Sequence, residues 1–143
     1  MDILDKRIIK FINKHHVLTL ATSVYDKPWC ANCFYTYIEN ENLLIVTSDI
    51  ETKHIKDVIQ NKIVAGSIVL ETHIIGKIQG IQFKGIMYSP SEELLKKVKI
   101  SYLKRFPFAS LMNTNLWIIE LTHIKMTDNL LGFGKKLLWN KEE

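Results

Sequence analysis

Long apolar runs are missing from this chain. None approaches the roughly 18 residues that a membrane span needs, so no membrane-embedded role is expected. Cysteine is nearly absent too: Cys30 and Cys33 are the only two, far short of a disulfide framework. The first sixteen residues mix Asp2, Asp5, Lys6, Arg7 and Lys10 with apolar positions, unlike a secretory signal. Both observations point to a reducing cytoplasm. Internal repeats, low-complexity tracts and linkers are also lacking, and 143 residues suffice for one core without metal or disulfides. One domain over residues 1–143 is the expectation. Neither sign of charge dominates: a net charge of +4, scattered along the chain, suits an anionic small molecule as well as nucleic acid. What is present is the balance of a globular protein, 47% apolar and 24% charged.

The two cysteines sit in "PWCANCFY" as C-x-x-C, a spacing shared by zinc half-sites and redox dithiols. Three residues apart on a strand, their sulfurs point to opposite faces. No second C-x-x-C accompanies them, and His15, His16, His54, His73 and His123 are dispersed. No metal site is expected, and both cysteines read as small packing residues.

Apolar spacing of three to four predicts a helix over 2–15 through Leu4, Ile8 and Ile12. Strands follow at 17–23, 29–38 and 43–47, the last ("LLIVT") apolar throughout and therefore covered on both faces. Ser48 and Glu51 have capping-box spacing ahead of a helix from about 49 to 60. Further strands are expected at 63–70 and 77–88. A helix then begins with Ser89 as N-cap, Pro90 at N1 and Glu92 at N3. Short strands at 116–121, 124–128 and 135–139 close the chain. Six to eight strands, mostly consecutive, with about three helices indicate an α+β fold: a mainly antiparallel barrel with peripheral helices.

That order, with "WCANCFY", "GIQFKG", "RFP" and "KMTDNLLGFGKKLLW", resembles the FMN-binding split barrels of the pyridoxamine 5′-phosphate oxidase-like superfamily. It is most similar to a small uncharacterised bacterial branch, over nearly the whole chain. The resemblance implies a homodimeric flavoprotein, with FMN in the groove between subunits and a small-molecule oxidoreductase activity on an unidentified substrate. FMN phosphate would be held where the third strand meets a helix, here by Thr47, Ser48, Thr52 and Lys53. A helix N-terminus with hydroxyls and an ammonium is in any case a ready anion site. The alternative there is a helix cap with a solvated lysine. The preceding strand, Ala31 to Tyr35, would pass along the flavin edge, with Asn32 and Phe34 as contacts and Asn32, Gln79 or Gln82 as donors to the pyrimidine ring. The last two could equally lie on a solvent-facing side. The glycines of "IQGIQFKG" suggest close approach of backbone to a ligand.

Phe133, Lys135 and Trp139 would close the partner's site, although Trp139 could as well pack its own barrel. Trp117 and Phe133 are candidates for buried dimer contacts. The oxidase's arginine and lysine on the flavin-edge strand are replaced by Ala31 and Thr36, so the resemblance extends to the cofactor rather than to the oxidase's substrate. No catalytic residue stands out. One rival is a non-catalytic flavin- or haem-binding protein, with His54, His73 or His123 as an axial ligand. A lower one is nucleic-acid binding through Lys96, Lys97, Lys99, Lys104 and Arg105, which more simply form the solvated face of an amphipathic helix.

Overall fold

The computed structural model describes residues 3–111 and 115–142. Asp5 starts the first helix, α1 (Lys6–Lys14), by accepting a hydrogen bond from the Arg7 amide at 2.8 Å. The helix therefore begins four residues later than its apolar spacing suggests, and residue 2 lies outside the described residues. Ile8, Phe11 and Ile12 are its buried face.

Seven strands follow, all paired antiparallel: β1 (Val17–Val24), β2 (Lys27–Ile38), β3 (Leu43–Ser48), β4 (Ile63–Val69), β5 (Gln79–Tyr88), β6 (Asn115–Asp128) and β7 (Lys136–Asn140). They run in the order β3-β2-β1-β4-β5-β6-β7, and β3 also pairs with β6. Six strands thus close into a ring and β7 extends it. The expected breaks at 116–121 and 124–128 are one strand. Between them the pairing shifts register: Lys84 faces His123 while Gly85 faces Leu121, leaving Thr122 as the bulged residue. The β6 strand needs this length because it serves three neighbours. Residues 115–120 pair with β3, 118–128 with β5 and 123–127 with β7.

Inward side chains fill the ring: Leu18, Leu20, Tyr35, Val46, Ile68, Ile81, Phe83, Ile124 and Met126 are all buried. Gly66 makes room for Phe83, since a Cβ there would lie 2.2 Å from its Cζ. A Cβ on Gly85 would meet the Glu120 carbonyl at 2.8 Å. Of the two glycines of "IQGIQFKG", Gly85 thus lies close to the neighbouring strand, whereas a Cβ on Gly80 would meet only ordinary contacts, the nearest the Ile68 carbonyl oxygen at 3.5 Å.

Two more helices cover the barrel. The N-cap of α2 (Lys53–Gln60) is Thr52, not Ser48. For α3 (Glu92–Arg105) it is Ser91, not Ser89. In each case the nearer hydroxyl accepts from the third residue on, Ile55 or Leu94. The α3 helix lies on the outer side of β3 and β6, where Val98 and Tyr102 join Leu43, Ile45 and Ile118 in a second apolar cluster. This explains why β3 is apolar on both faces. Arg105 fastens the end of α3 to two other elements, donating to the carbonyls of Tyr35 (3.1 Å), Asn13 (3.0 Å) and His15.

Candidate functional site at the split of the barrel

Residues 27–34 of β2 pair with β1, whereas 35–38 pair with β3. The two strands part after Tyr35–Val46. One backbone edge of Lys27–Phe34 is left without a strand partner, which is also why Pro28 is tolerated there. This divergence is the split, and it has a polar end and an aromatic end.

At the polar end, α2 begins. Ser48 and His54 share a short hydrogen bond, and Thr52 Oγ1 lies 3.4 Å from the same His54 nitrogen. Lys53 bridges to Asp57 at 3.1 Å and stands 5.4 Å from the centre of the Trp29 ring. Asp57 also accepts from Thr22 at 2.9 Å. Burial raises the Asp57 pKa, but the bonds from Thr22 and Lys53 and the charges of Lys53 and His54 outweigh it, so the carboxyl lies below its usual range. Burial lowers the pKa of His54, against the pull of Asp57, and favours a neutral imidazole. The amides of Lys53 and His54, the first two of the helix, have no hydrogen-bond partner among the described residues. Two free amides, a hydroxyl and a half-exposed ammonium are together suited to an anion.

At the aromatic end, the Phe34 and Phe106 ring centres are 5.6 Å apart, with Tyr102 at 5.1 Å and His16 at 6.2 Å from Phe106. Phe34 is 59% exposed despite its size.

The twelve residues expected at a cofactor do not all meet. Ser48, Thr52 and Lys53 gather at the start of α2. Thr47 points to the other face of β3 and bonds Tyr102 at 3.0 Å, so it leaves that group. Asn32 and Phe34 lie on the outer face, and Ala31 on the inner side of the same stretch. Asn32 is exposed and accepts from Thr19 at 3.0 Å. Register places Asn32, Thr19, Ser67, Gln82, Lys125 and Leu138 in one row across that outer face. Gln82 is three strands from Asn32, or about 14 Å at ordinary strand spacing.

Gln79 is elsewhere. It turns toward Asp128, donating at 3.1 Å, and so lies at the far end of β6 from Asn115, the residue opposite Ser48. Gln79 and Lys53 of one chain cannot share a small ligand. Phe133 and Lys135, exposed in the loop after β6, are equally distant within the chain. Trp139 packs against the barrel core. Trp117 is buried within its own chain, donating from its indole to the Ser48 carbonyl at 3.0 Å. The cysteines split as strand parity requires: Cys30 is exposed and Cys33 buried, its thiol pushed up to about 11 by that burial, which favours the protonated form. Sequence reasoning missed Trp29, Asp57 and His16. Only Asp57 had a faint signal, its i, i+4 spacing from Lys53.

No family model matches the chain. A UPF0306 protein of Photorhabdus laumondii is 40% identical over 134 residues, 94% of each chain. The chain belongs to the UPF0306 family. A second member, from Yersinia pseudotuberculosis, is 38% identical over 136 residues, 95% of this chain and 92% of its own. Among solved structures, this UPF0306 protein resembles a haem-binding protein from Mycobacterium smegmatis (TM-score 0.77, 13% identity). There 97% of its length is matched, but it spans only 60% of that chain. An FAD-binding protein from Mesorhizobium loti matches with TM-score 0.71 at 11% identity, over 87% of this chain and 94% of the other. HutZ, the haem storage protein of Vibrio cholerae, gives 0.68 at 15%, over 96% and 94%. At such identities the likeness is one of fold, and the fold of this UPF0306 protein is an α+β split barrel.

Proposed function

We propose that this UPF0306 protein is an FMN-binding flavoprotein of the pyridoxamine 5′-phosphate oxidase-like kind, a single cytoplasmic split-barrel domain acting as an oxidoreductase on a small molecule. The observation that carries this is the split itself: a free backbone edge on β2 ends beside an anion-ready helix start. Both parts fit the cofactor. The phosphate would take the free amides of Lys53 and His54, the Thr52 hydroxyl, turned from the Asp49 carbonyl to which it donates at 2.7 Å, and the Lys53 ammonium, displaced from Asp57. The ring would lie against Ala31–Phe34, with Asn32 as a polar contact. Bound FMN supplies hydride transfer, while the chain orients it and screens what can approach.

The proposal includes a homodimer. On the outer face of β4 and β7, Ile63, Val69 and Leu138 expose apolar side chains, each more than 60% exposed. A face of that kind is covered in a stable assembly. A second copy there would also account for Gln79, Phe133 and Lys135, which can serve a flavin only if it is held by another subunit. The test is the purified full chain. A flavin absorbance spectrum, or saturable uptake of about one FMN per chain measured by fluorescence quenching, supports the reading; no chromophore and no uptake refutes it.

Haem is the second reading, supported by the two haem proteins of like fold and by a feature of the aromatic end of the split.

A further inference from the structure

Five imidazoles are present, and four are occupied or isolated. His15 Nδ1 lies 3.0 Å from the Phe11 carbonyl oxygen, with its ring stacked on Phe11. His54 Nε2 lies between the hydroxyls of Ser48 and Thr52. His123 Nδ1 is 2.6 Å from Asn140 Oδ1. His73 is exposed on the β4–β5 loop without an aromatic neighbour among the described residues. His16 differs from all of them. It is exposed, and neither ring nitrogen has a hydrogen-bond partner among the described residues.

Its surroundings differ as well. The ring stands edge-on to Phe106, which in turn packs on Phe34. The next residue, Val17, faces Phe34 across the β1–β2 pair and is itself half-exposed. An apolar shelf of Phe34, Phe106 and Val17 thus borders a free imidazole. The backbone beneath is fixed: the His16 carbonyl accepts from Tyr35 at 3.0 Å, and Arg105 grips the carbonyls of His15 and Asn13.

We infer that His16 is an axial haem ligand, with the porphyrin face resting on Phe34, Phe106 and Val17. Iron–imidazole ligation and an apolar face are what a haem site requires. The free nitrogen supplies the first and the shelf the second. The inference rests on the haem reading and not on the phosphate site, so the two fail separately.

The experiment titrates hemin into the full chain freed of chromophore and follows the Soret band. The wild type should give a sharpened, shifted band that saturates at about one hemin per chain. In His16→Ala that band should vanish and return on adding free imidazole, with the far-ultraviolet circular dichroism spectrum unchanged. Phe34→Ala should keep the band position but need about ten-fold more hemin, the loss of roughly one aromatic contact. His54→Ala, His73→Ala and His123→Ala should behave as wild type, and FMN binding should survive His16→Ala. No hemin uptake by the wild type, an unaltered band in His16→Ala or His16→Gln, or loss of the band in another histidine variant overturns the assignment.

Discussion

The outer surface of the sheet has two halves that the chain treats differently. Over β3 and the start of β6, α3 lies on the strands, and Ile45 and Ile118 are completely buried beneath Val98 and Tyr102. Over the outward side chains of β4 and β7 no helix lies among the described residues (α2 meets β1 through the inward Thr22, which bonds Asp57), and Ile63, Val69 and Leu138 remain exposed. Both halves carry apolar residues at outward positions, so composition alone does not separate them. The first half is a core that the chain completes by itself. The second is an apolar face that the described residues leave bare, and the proposed homodimer would cover it with a second copy, the cofactor lying between the two.

Truncating one side chain in each half exposes the contrast most strongly. Ile118→Ala removes a fully buried side chain and should cost about 2–5 kcal/mol in a denaturant titration. Leu138→Ala should cost under about 0.5 kcal/mol in the dissociated chain. Equal costs would mean that the two faces are equally buried in solution and that the dimer is obligate.

A charge on the bare face acts on assembly rather than on folding. Val69→Lys should leave the circular dichroism spectrum intact while light scattering falls from twice the 16.7 kDa chain mass to that mass. FMN affinity should fall with it. A wild-type monomer that holds flavin by itself would exclude the partner from the site.

A smaller effect separates the two faces of β2. Cys33→Ser places a hydroxyl in the core and should cost on the order of 1 kcal/mol, whereas Cys30→Ser on the outer face should be near neutral. Cofactor binding should survive both. Loss of bound metal or of a redox-linked activity in the double variant would return the C-x-x-C to a chemical role.

Much of this was legible from spacing. Strand order, both faces of β5 and the parity of Cys30 and Cys33 follow from period-two alternation, which is a local property. Which strands close the ring was not legible, because the β3–β6 pairing joins residues some seventy positions apart. That one fact moves Gln79, Phe133 and Lys135 to the end of the barrel away from Lys53. Thr47 and Ser48 illustrate the same limit on a smaller scale. They are adjacent in sequence, but as the last residues of a strand they face opposite ways, and only Ser48 turns toward α2. The caps were misplaced because two hydroxyls precede each helix, and only the backbone decides which one reaches the third amide. The α2 start was placed about four residues early, and Lys53 falls in the first turn because Thr52, not Ser48, is the cap.

Lys53 carries the central claim, and parallel titrations of FMN and riboflavin test it most directly. Riboflavin has the ring without the phosphate. If the start of α2 holds that phosphate, the wild type should prefer FMN. Lys53→Ala should then weaken FMN by about 10- to 100-fold, the worth of a charge-assisted hydrogen bond of roughly 1.5–3 kcal/mol, and leave riboflavin almost unchanged. The exposed lysine releases Asp57 when mutated, so a thermal scan of the variant should accompany the titration. Equal wild-type affinity for FMN and riboflavin, or an FMN affinity that Lys53→Ala does not change, would contradict a phosphate site at this helix and with it the flavin arrangement proposed for the split.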